Sequence, residues 1–463
     1  MKLSIPYAPY AELDKEQIAA VCKFAKLRNT VHGVRAIAWW RVGTGKTRLA
    51  YSLSLLLSAY EKLPWVCAII ARPKAEYDWK AELEKLGCDA LFTTDPNQIS
   101  FKRPTFLFVS FGSVESLKKK IKRIPWLKFI IIDELYLFSN PKTKRSRALQ
   151  SLTSECQCLG MGGTILTSKD NAQVWGQAVA VGIQRKLAKH LSEYRSIYQT
   201  HFQANFGTRS CMQFKNKANW KEQVVAKLQD RVSIYFPSEL QRITEQVIKF
   251  PLTTQQKDAI ESLTKHYFLE CQGCEFDFKY AFEVYSKIRS ILNGWIQTPS
   301  GELLNVESAK LDGLLDSLRE IHAANEPCVV WCAFRNDIKI IQRHLDFATL
   351  QMVGGSPFDL DSFSRGKIRI VLATMGSGAS VNHFRDVAIA KFFSLSYKRL
   401  DLQQSKGRHT RRDSRITGVH YQYFECDKSY DTDIRKHLTT TDNEEKALIK
   451  SWHQKILQTS TLK

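Results

Sequence analysis

The chain has 463 residues, 44% hydrophobic and 25% charged, enough for two or three domains with buried cores. Lysine and arginine total 68 against 46 aspartates and glutamates, a formal net charge of +22, which points to a polyanionic partner, nucleic acid ahead of an anionic membrane surface. No apolar run is long enough to span a membrane, the opening MKLSIPYAPYAELDKEQ has no signal-peptide core, and the 11 scattered cysteines suit free thiols, so a cytoplasmic, non-secreted protein is expected.

Short apolar runs alternate with helical patterns through the first half, which predicts a parallel sheet with crossover helices. Strands are predicted at 36–40, 66–71, 105–110, 129–132 and 157–161. Between the first strand and a helix carrying Leu49, Leu53, Leu56, Leu57 and Tyr60 stands Val42-Gly-Thr-Gly-Lys-Thr47. A strand, a glycine turn and a helix N-terminus make an anion cradle: the backbone N–H groups of Gly43, Thr44 and Gly45 and the positive end of the helix dipole converge. Lys46 adds a point charge for the β/γ-phosphates and Thr47 a hydroxyl for Mg²⁺. The strict eight-residue P-loop pattern has a glycine where this chain has Trp40. Farther on, the apolar run Phe129-Ile-Ile-Ile ends in Asp133-Glu134. Asp133 can hold Mg²⁺ through water, and Glu134 can orient and deprotonate an attacking water.

From about 182 to 227 the chain turns polar, basic and aromatic. Tyr194, Tyr198, Phe202, Phe206, Phe214 and Trp220 fall at near-helical spacing and predict the core of a helical segment; a stacking platform for unpaired bases is the alternative. A linker is read at 250–255, beyond which strands are predicted at 328–333, 368–373, 387–393 and 419–426, with a helix marked by Leu311, Leu314, Leu315, Leu318 and Ile321. Two α/β units thus flank a helical, basic middle. The expected domains are 1–250, with the helical segment at about 183–227, and 251–463. Cys156/Cys158 and Cys271/Cys274 lack a second pair at zinc-site spacing. In Gln404-Ser-Lys-Gly-Arg-His-Thr-Arg411, two arginines three apart at a helix start share a face; they suit arginine fingers on a γ-phosphate, or equally a basic surface helix on a phosphate backbone.

The order of these motifs resembles superfamily 2 helicases, and within them the Swi/Snf-type DNA translocases. Leu13-Asp-Lys-Glu-Gln17 is similar to the adenine-reading glutamine motif, VGTGKT to motif I, and Ala71-Arg-Pro-Lys-Ala-Glu-Tyr-Asp-Trp79 with Glu82 to motif Ia. Asp133-Glu-Leu-Tyr followed by Asn140-Pro-Lys-Thr-Lys-Arg-Ser-Arg-Ala-Leu149 is the stretch most typical of the Swi/Snf branch. Gly163-Thr164 with Trp175 resembles motif III, Thr374 to Asn382 motif V, and Gln404 to Arg411 motif VI. Trp40 and Arg41 replace an acidic pair, Leu135 and Tyr136 a small residue and histidine, Ile165 a proline and Ser380 a glycine, which marks a divergent member.

The resemblance implies two RecA-like parallel-sheet domains with ATP and Mg²⁺ in the cleft. Gln17 would read the adenine. Lys46, Glu134, Arg408 and Arg411 would carry the chemistry, and Gly163, Thr164, Thr374, Gly378, Asn382 and Gln404 would couple it to DNA. Pro73, Lys74 and Trp331-Cys-Ala-Phe334 would hold the phosphate backbone, with Lys142, Lys144 and Arg145 as further contacts; Lys118–Arg123 reads as a solvated face. The expected activity is a DNA-dependent ATPase moving on double-stranded DNA without sequence specificity and remodelling protein–DNA complexes or branched DNA, in a compact motor of bacterial or viral type. A strand-separating DNA or RNA helicase and a non-hydrolysing DNA-binding scaffold are the alternatives.

Overall fold

The computed structural model describes residues 13–61, 65–100, 102–120, 124, 126–163, 171–206, 209–237, 241–266, 268–271, 274–277, 281–353, 360–377, 383–411 and 414–440. They fall into two compact units, one within 1–237 and the other within 238–444.

The first unit runs α1 (Lys15–Ala25), β1 (Arg35–Trp40), α2 (Lys46–Glu61), β2 (Val66–Ala71), α3 (Glu76–Lys85), β3 (Leu91–Thr93), β4 (Thr105–Ser110), α4 (Val114–Lys120), β5 (Leu127–Ile132), α5 (Lys144–Glu155), β6 (Gln157–Gly162) and α6 (Ala172–Ala180). It continues with α7 (Leu191–Tyr198), β7 (Gln199–Phe206), β8 (Arg209–Asn216), α8 (Trp220–Leu228) and β9 (Val232–Tyr235). Seven of these strands form one sheet in the order β3-β4-β2-β5-β6-β1-β9, with every pairing parallel. Crossover helices cover both faces, so the strands are apolar at nearly every position rather than alternating. Along β1 and β2, Ile37, Trp39, Ala68 and Ile70 enter one core while Ala36, Ala38, Trp40, Cys67 and Ile69 enter the other.

The second unit runs β10 (Arg242–Phe250), α9 (Thr254–His266), β11 (Phe268–Cys271), β12 (Cys274–Asp277), α10 (Ala281–Leu292), β13 (Trp295–Gln297), β14 (Leu303–Asn305) and α11 (Ala309–Ala323). It ends with β15 (Cys328–Cys332), α12 (Arg335–Arg343), β16 (Leu350–Met352), α13 (Leu360–Ser364), β17 (Ile370–Thr374), β18 (Ile389–Phe392), α14 (Arg399–His409) and β19 (Gly418–Cys426). Its six-stranded sheet, β10-β19-β18-β15-β17-β16, is also parallel and has a core on each face. The two α/β parallel-sheet domains expected from the sequence are therefore present.

Two expectations are corrected. Arg242–Phe250, assigned above to the end of the first domain, is β10 of the second sheet, paired along its whole length with β19. The 183–227 stretch is not helical throughout. Its centre is the antiparallel β7–β8 ribbon, flanked by α7 and α8; Tyr194, Tyr198 and Trp220 do enter the core, but Phe202 is half exposed. No helix among the described residues is long and apolar enough to cross a membrane.

Candidate nucleotide site

β1 carries its last side chain, Trp40, into the core, where the indole N–H donates to Ser233 Oγ at 3.0 Å and the ring lies 5.1 Å from that of Tyr235. Trp40 thus belongs to the strand and not to the phosphate turn. The chain then reverses through Gly43 and Gly45, whose φ angles of 82° and 84° lie in the left-handed region open to glycine. A Cβ on Gly45 would also come within 2.4 Å of Gln17 Nε2. Thr44 is buried and its hydroxyl donates to Arg41 O at 2.6 Å, closing the turn. Lys46 opens α2, and its ammonium lies on the strand-end carbonyls of Trp40 (3.1 Å) and Arg41 (3.2 Å). No acidic side chain stands in the first turn of α2, so the positive end of the helix dipole is not offset from within the turn.

Gln17 braces this loop. It is the third residue of α1 and forms a reciprocal cap with Asp14, accepting from Asp14 N at 3.0 Å while Asp14 Oδ1 accepts from Gln17 N at 2.8 Å. Its Nε2 donates to Gly45 O at 3.1 Å. In the motif expected to read a base, Gln17 is a strut beneath the glycine turn, and Asp14, which caps it, was not singled out from sequence.

Asp133 and Glu134 follow β5 directly. Asp133 N continues the ladder to Ile70 O at 2.9 Å, which fixes the carboxylate at the strand's carboxyl end. Asp133 Oδ1 accepts from Glu134 N at 3.0 Å and Oδ2 from the indole of buried Trp79 at 3.4 Å. Glu134 adopts φ 51°, ψ 53°, a left-handed conformation that a non-glycine residue holds only at a cost of about 1–3 kcal/mol. Only β6 separates β5 from β1, and all three run parallel, so the glycine loop and the acidic pair emerge at one edge of the sheet. Gly163, just beyond β6, fills the interval: a Cβ there would sit 3.1 Å from Val42 Cγ2 and 3.5 Å from Trp40 O. Thr164 lies outside the described residues.

The motif Ia residues continue this edge. Pro73 and Lys74 form a short 3₁₀ turn after β2; Pro73 is exposed, and burial pushes the Lys74 ammonium pKa down. Arg72 donates to the Tyr136 hydroxyl at 2.7 Å, and Arg48 pairs with Glu82 at 2.8 Å. A cavity of about 310 Å³ opens here, lined by Pro73, Glu76, Leu107, Ser110, Ser113 and Ser116 among others. The serines were missed from sequence; Ser110-Phe-Gly-Ser113, which begins at the last residue of β4, was the available signal. In the 140–149 stretch, Asn140 Oδ1 accepts from Lys142 N at 3.1 Å and Thr143 caps α5 through Ser146 N at 3.1 Å. Lys142 and Lys144 are exposed, whereas the Arg145 guanidinium lies 3.8 Å over the Phe111 ring.

In the second unit, Thr374 ends β17, Gln404 and Arg408 are buried on α14, and Arg411 is half-buried. α14 ends at His409, with Thr410 already extended, so Arg411 stands outside the helix: the two arginines do not share a helical face as expected. Gln241 Nε2 donates to Arg411 O and ties this exit to the start of β10. Trp331 and Cys332, expected at the phosphate backbone, are fully buried strand residues without access to DNA. Trp331 instead donates to His409 Nε2 at 3.2 Å, while His409 Nδ1 lies 3.1 Å from Val387 O. Because tryptophan can only donate, the imidazole is neutral with its proton on Nδ1, and burial pushes its pKa down to about 4. Gly378 and Asn382 lie outside the described residues.

No family model matches the chain, and no curated protein matches it. Among solved structures it is similar to the Sulfolobus solfataricus SWI2/SNF2 ATPase core in complex with dsDNA, with a TM-score of 0.42 and 15% identity over 95% of this chain and 93% of that one. At that distance the functional case rests on the residues themselves.

Proposed function

We propose that the protein is a nucleic-acid-stimulated ATPase of the Swi/Snf-like superfamily 2 type that uses ATP and Mg²⁺ to move on double-stranded DNA. The observation that carries the reading is the shared edge of the first sheet, where the Gly43–Thr47 turn and Asp133–Glu134 emerge one strand apart, with Gly163 between them. Ligands of parallel α/β sheets bind outside the carboxyl ends of the strands.

The turn's amides and the start of α2 receive the phosphates. Lys46 exchanges its carbonyl partners for the β- and γ-phosphate oxygens. The Thr47 hydroxyl and the Asp133 carboxylate are the hard oxygen donors Mg²⁺ takes, and bound there the ion would neutralise charge on the leaving phosphate. Glu134 orients a water and takes its proton as the oxygen attacks the γ-phosphorus; ADP leaves with the bridging oxygen. Arg408 and Arg411 serve the γ-phosphate as arginine fingers, so that ATP and ADP are held differently and the cycle moves the units relative to DNA. The net charge of +22 and the exposed Lys142 and Lys144 suit a sequence-independent, salt-sensitive grip on phosphates.

The test is phosphate release with duplex DNA, single-stranded DNA or RNA at low salt, with Lys46→Ala as the control. Turnover that rises with duplex and vanishes in Lys46→Ala is expected. Turnover indifferent to duplex, or stimulated only by single strands or RNA, overturns the duplex reading.

A further inference from the structure

Among the described residues the β7–β8 ribbon joins no larger sheet, yet it is firmly rooted. Buried Asn171 donates from Nδ2 to Tyr198 O at 3.2 Å and accepts the Tyr194 hydroxyl on its carbonyl at 3.1 Å. Its own N–H donates to Asn216 Oδ1 at 3.2 Å, an atom that also receives Gln199 Nε2 at 3.2 Å. Lys217 N donates to Tyr198 O at 2.9 Å, closing the base. An isolated two-stranded ribbon is marginal in water, so this buried root is what holds it out from the domain.

Beyond the root, the ribbon shows apolar side chains on both faces. Phe202 pairs with Gln213 and Gln203 with Met212, and successive residues alternate sides, so Phe202 and Met212 lie on opposite faces. They are 51% and 55% exposed. Neither strand contains an acidic residue, and the segment from Arg185 to Lys221 carries eight lysines and arginines against one acid, Glu193. His201 and Lys215 are exposed, and Arg195 lies 4.0 Å over the Phe214 ring. A cationic blade with an apolar residue on each side matches a polyanion that also offers flat apolar faces, which unpaired or unstacked bases do. A ribbon lying in a major groove would meet base edges, and polar side chains would suit it better there.

We propose that the β7–β8 ribbon inserts at a junction between duplex and unpaired nucleic acid, with Phe202 stacking on a base. This rests on the nucleic-acid reading above and assigns the ribbon its structural preference. The experiment compares the full-length protein with Phe202→Ala and Phe202→Trp, using anisotropy on forked, blunt-duplex and single-stranded DNA; a second fork carries 2-aminopurine at its first unpaired position. Circular dichroism confirms folding of each variant. The expected result is fork affinity about ten-fold weaker in Phe202→Ala, blunt-duplex affinity within about two-fold, and recovery in Phe202→Trp. The 2-aminopurine signal should change with the unsubstituted protein and not with Phe202→Ala. Equal losses on fork and blunt duplex, or no loss on the fork, overturn the insertion while leaving the ATPase reading standing. Failure of the unsubstituted protein to bind any DNA overturns both.

Discussion

The two units build the same local device, a buried parallel strand, a short turn and a helix, and end it differently. In the first, β1 passes through two left-handed glycines into α2, whose first turn holds Lys46, Thr47 and Arg48 and no acid. In the second, β15 passes through Ala333 and Phe334 into α12, and the chain's own Asp337 fills the helix start. Asp337 Oδ2 accepts from Phe334 N at 3.1 Å and Ser394 Oγ at 2.6 Å, and Oδ1 from Asn293 at 2.9 Å and Trp295 at 2.7 Å. One helix N-terminus has no acid in its first turn; the other is satisfied by one built in. The fold is repeated, and the proposed function assigns phosphate chemistry to the copy whose turn lacks a carboxylate.

The largest test of this contrast removes the chemistry from the first device. Lys46→Ala and Glu134→Gln should each lower phosphate release about 100-fold or more, with nucleotide binding retained in Glu134→Gln as read by a fluorescent ATP analogue. Removing the built-in anion from the second device tests stability instead. Asp337→Ala leaves four donors, three of them buried, without their acceptor and should destabilise the second unit by about 3 kcal/mol, measured as a downward shift of its urea midpoint.

Acid probes the same strand through His409, the partner of Trp331. Its folded pKa of about 4 is below the unfolded value of about 6.5, so its stabilisation is full above pH ~6.5 and is lost as pH falls towards 4. The second unit should lose up to about 3 kcal/mol across that window, at about 1.4 kcal/mol per pH unit, in urea titrations at stepped pH. His409→Gln should flatten that slope; an unchanged slope would assign the acid sensitivity elsewhere. The smallest effect comes from converting one device toward the other. Arg48 holds in α2 the third-residue position that Asp337 holds in α12, and Arg48→Asp should weaken ATP binding about ten-fold, with Glu82→Ala controlling for the lost ion pair.

The buried strands, and the glycine turn and acidic pair at their ends, were legible in the sequence because each is local. Strands 66–71 and 105–110 were read to the residue, and Gly43, Gly45, Lys46, Asp133 and Glu134 lie where apolar runs end. What was misread depends on partners far along the chain. β10 is a mostly exposed edge strand that was assigned to the end of the first domain, because nothing local shows that its partner is β19. Among the described side chains of the β7–β8 ribbon only Gln199 is buried, so they give no burial rhythm, and the scattered aromatics mimicked helical spacing. The end of α14 at His409 was hidden because that histidine is held by Trp331 and Val387, which no local pattern reveals. Gln17 was found through a motif, but its role as a strut under Gly45 needed the fold.

The long partnership of β10 also governs how the protein is made. Gln246 and Gln422, joined across the β10–β19 pair, are 176 positions apart. At about 5–20 residues per second of synthesis, β10 leaves the ribosome roughly 10–35 s before its partner strand does. In the first unit β1 meets β6, 123 positions on (Arg35 to Cys158), before β9 arrives, whereas β10 pairs with β19 alone among the described strands and stays unpaired, nine residues long, while nearly all of the second unit is translated. Arg242, Glu245 and Lys249 along that strand are the charges that keep a waiting edge soluble. A ribosome stalled before Gly418 would therefore hold a completed first sheet and an open second one, and such chains are the ones a chaperone would need to shield.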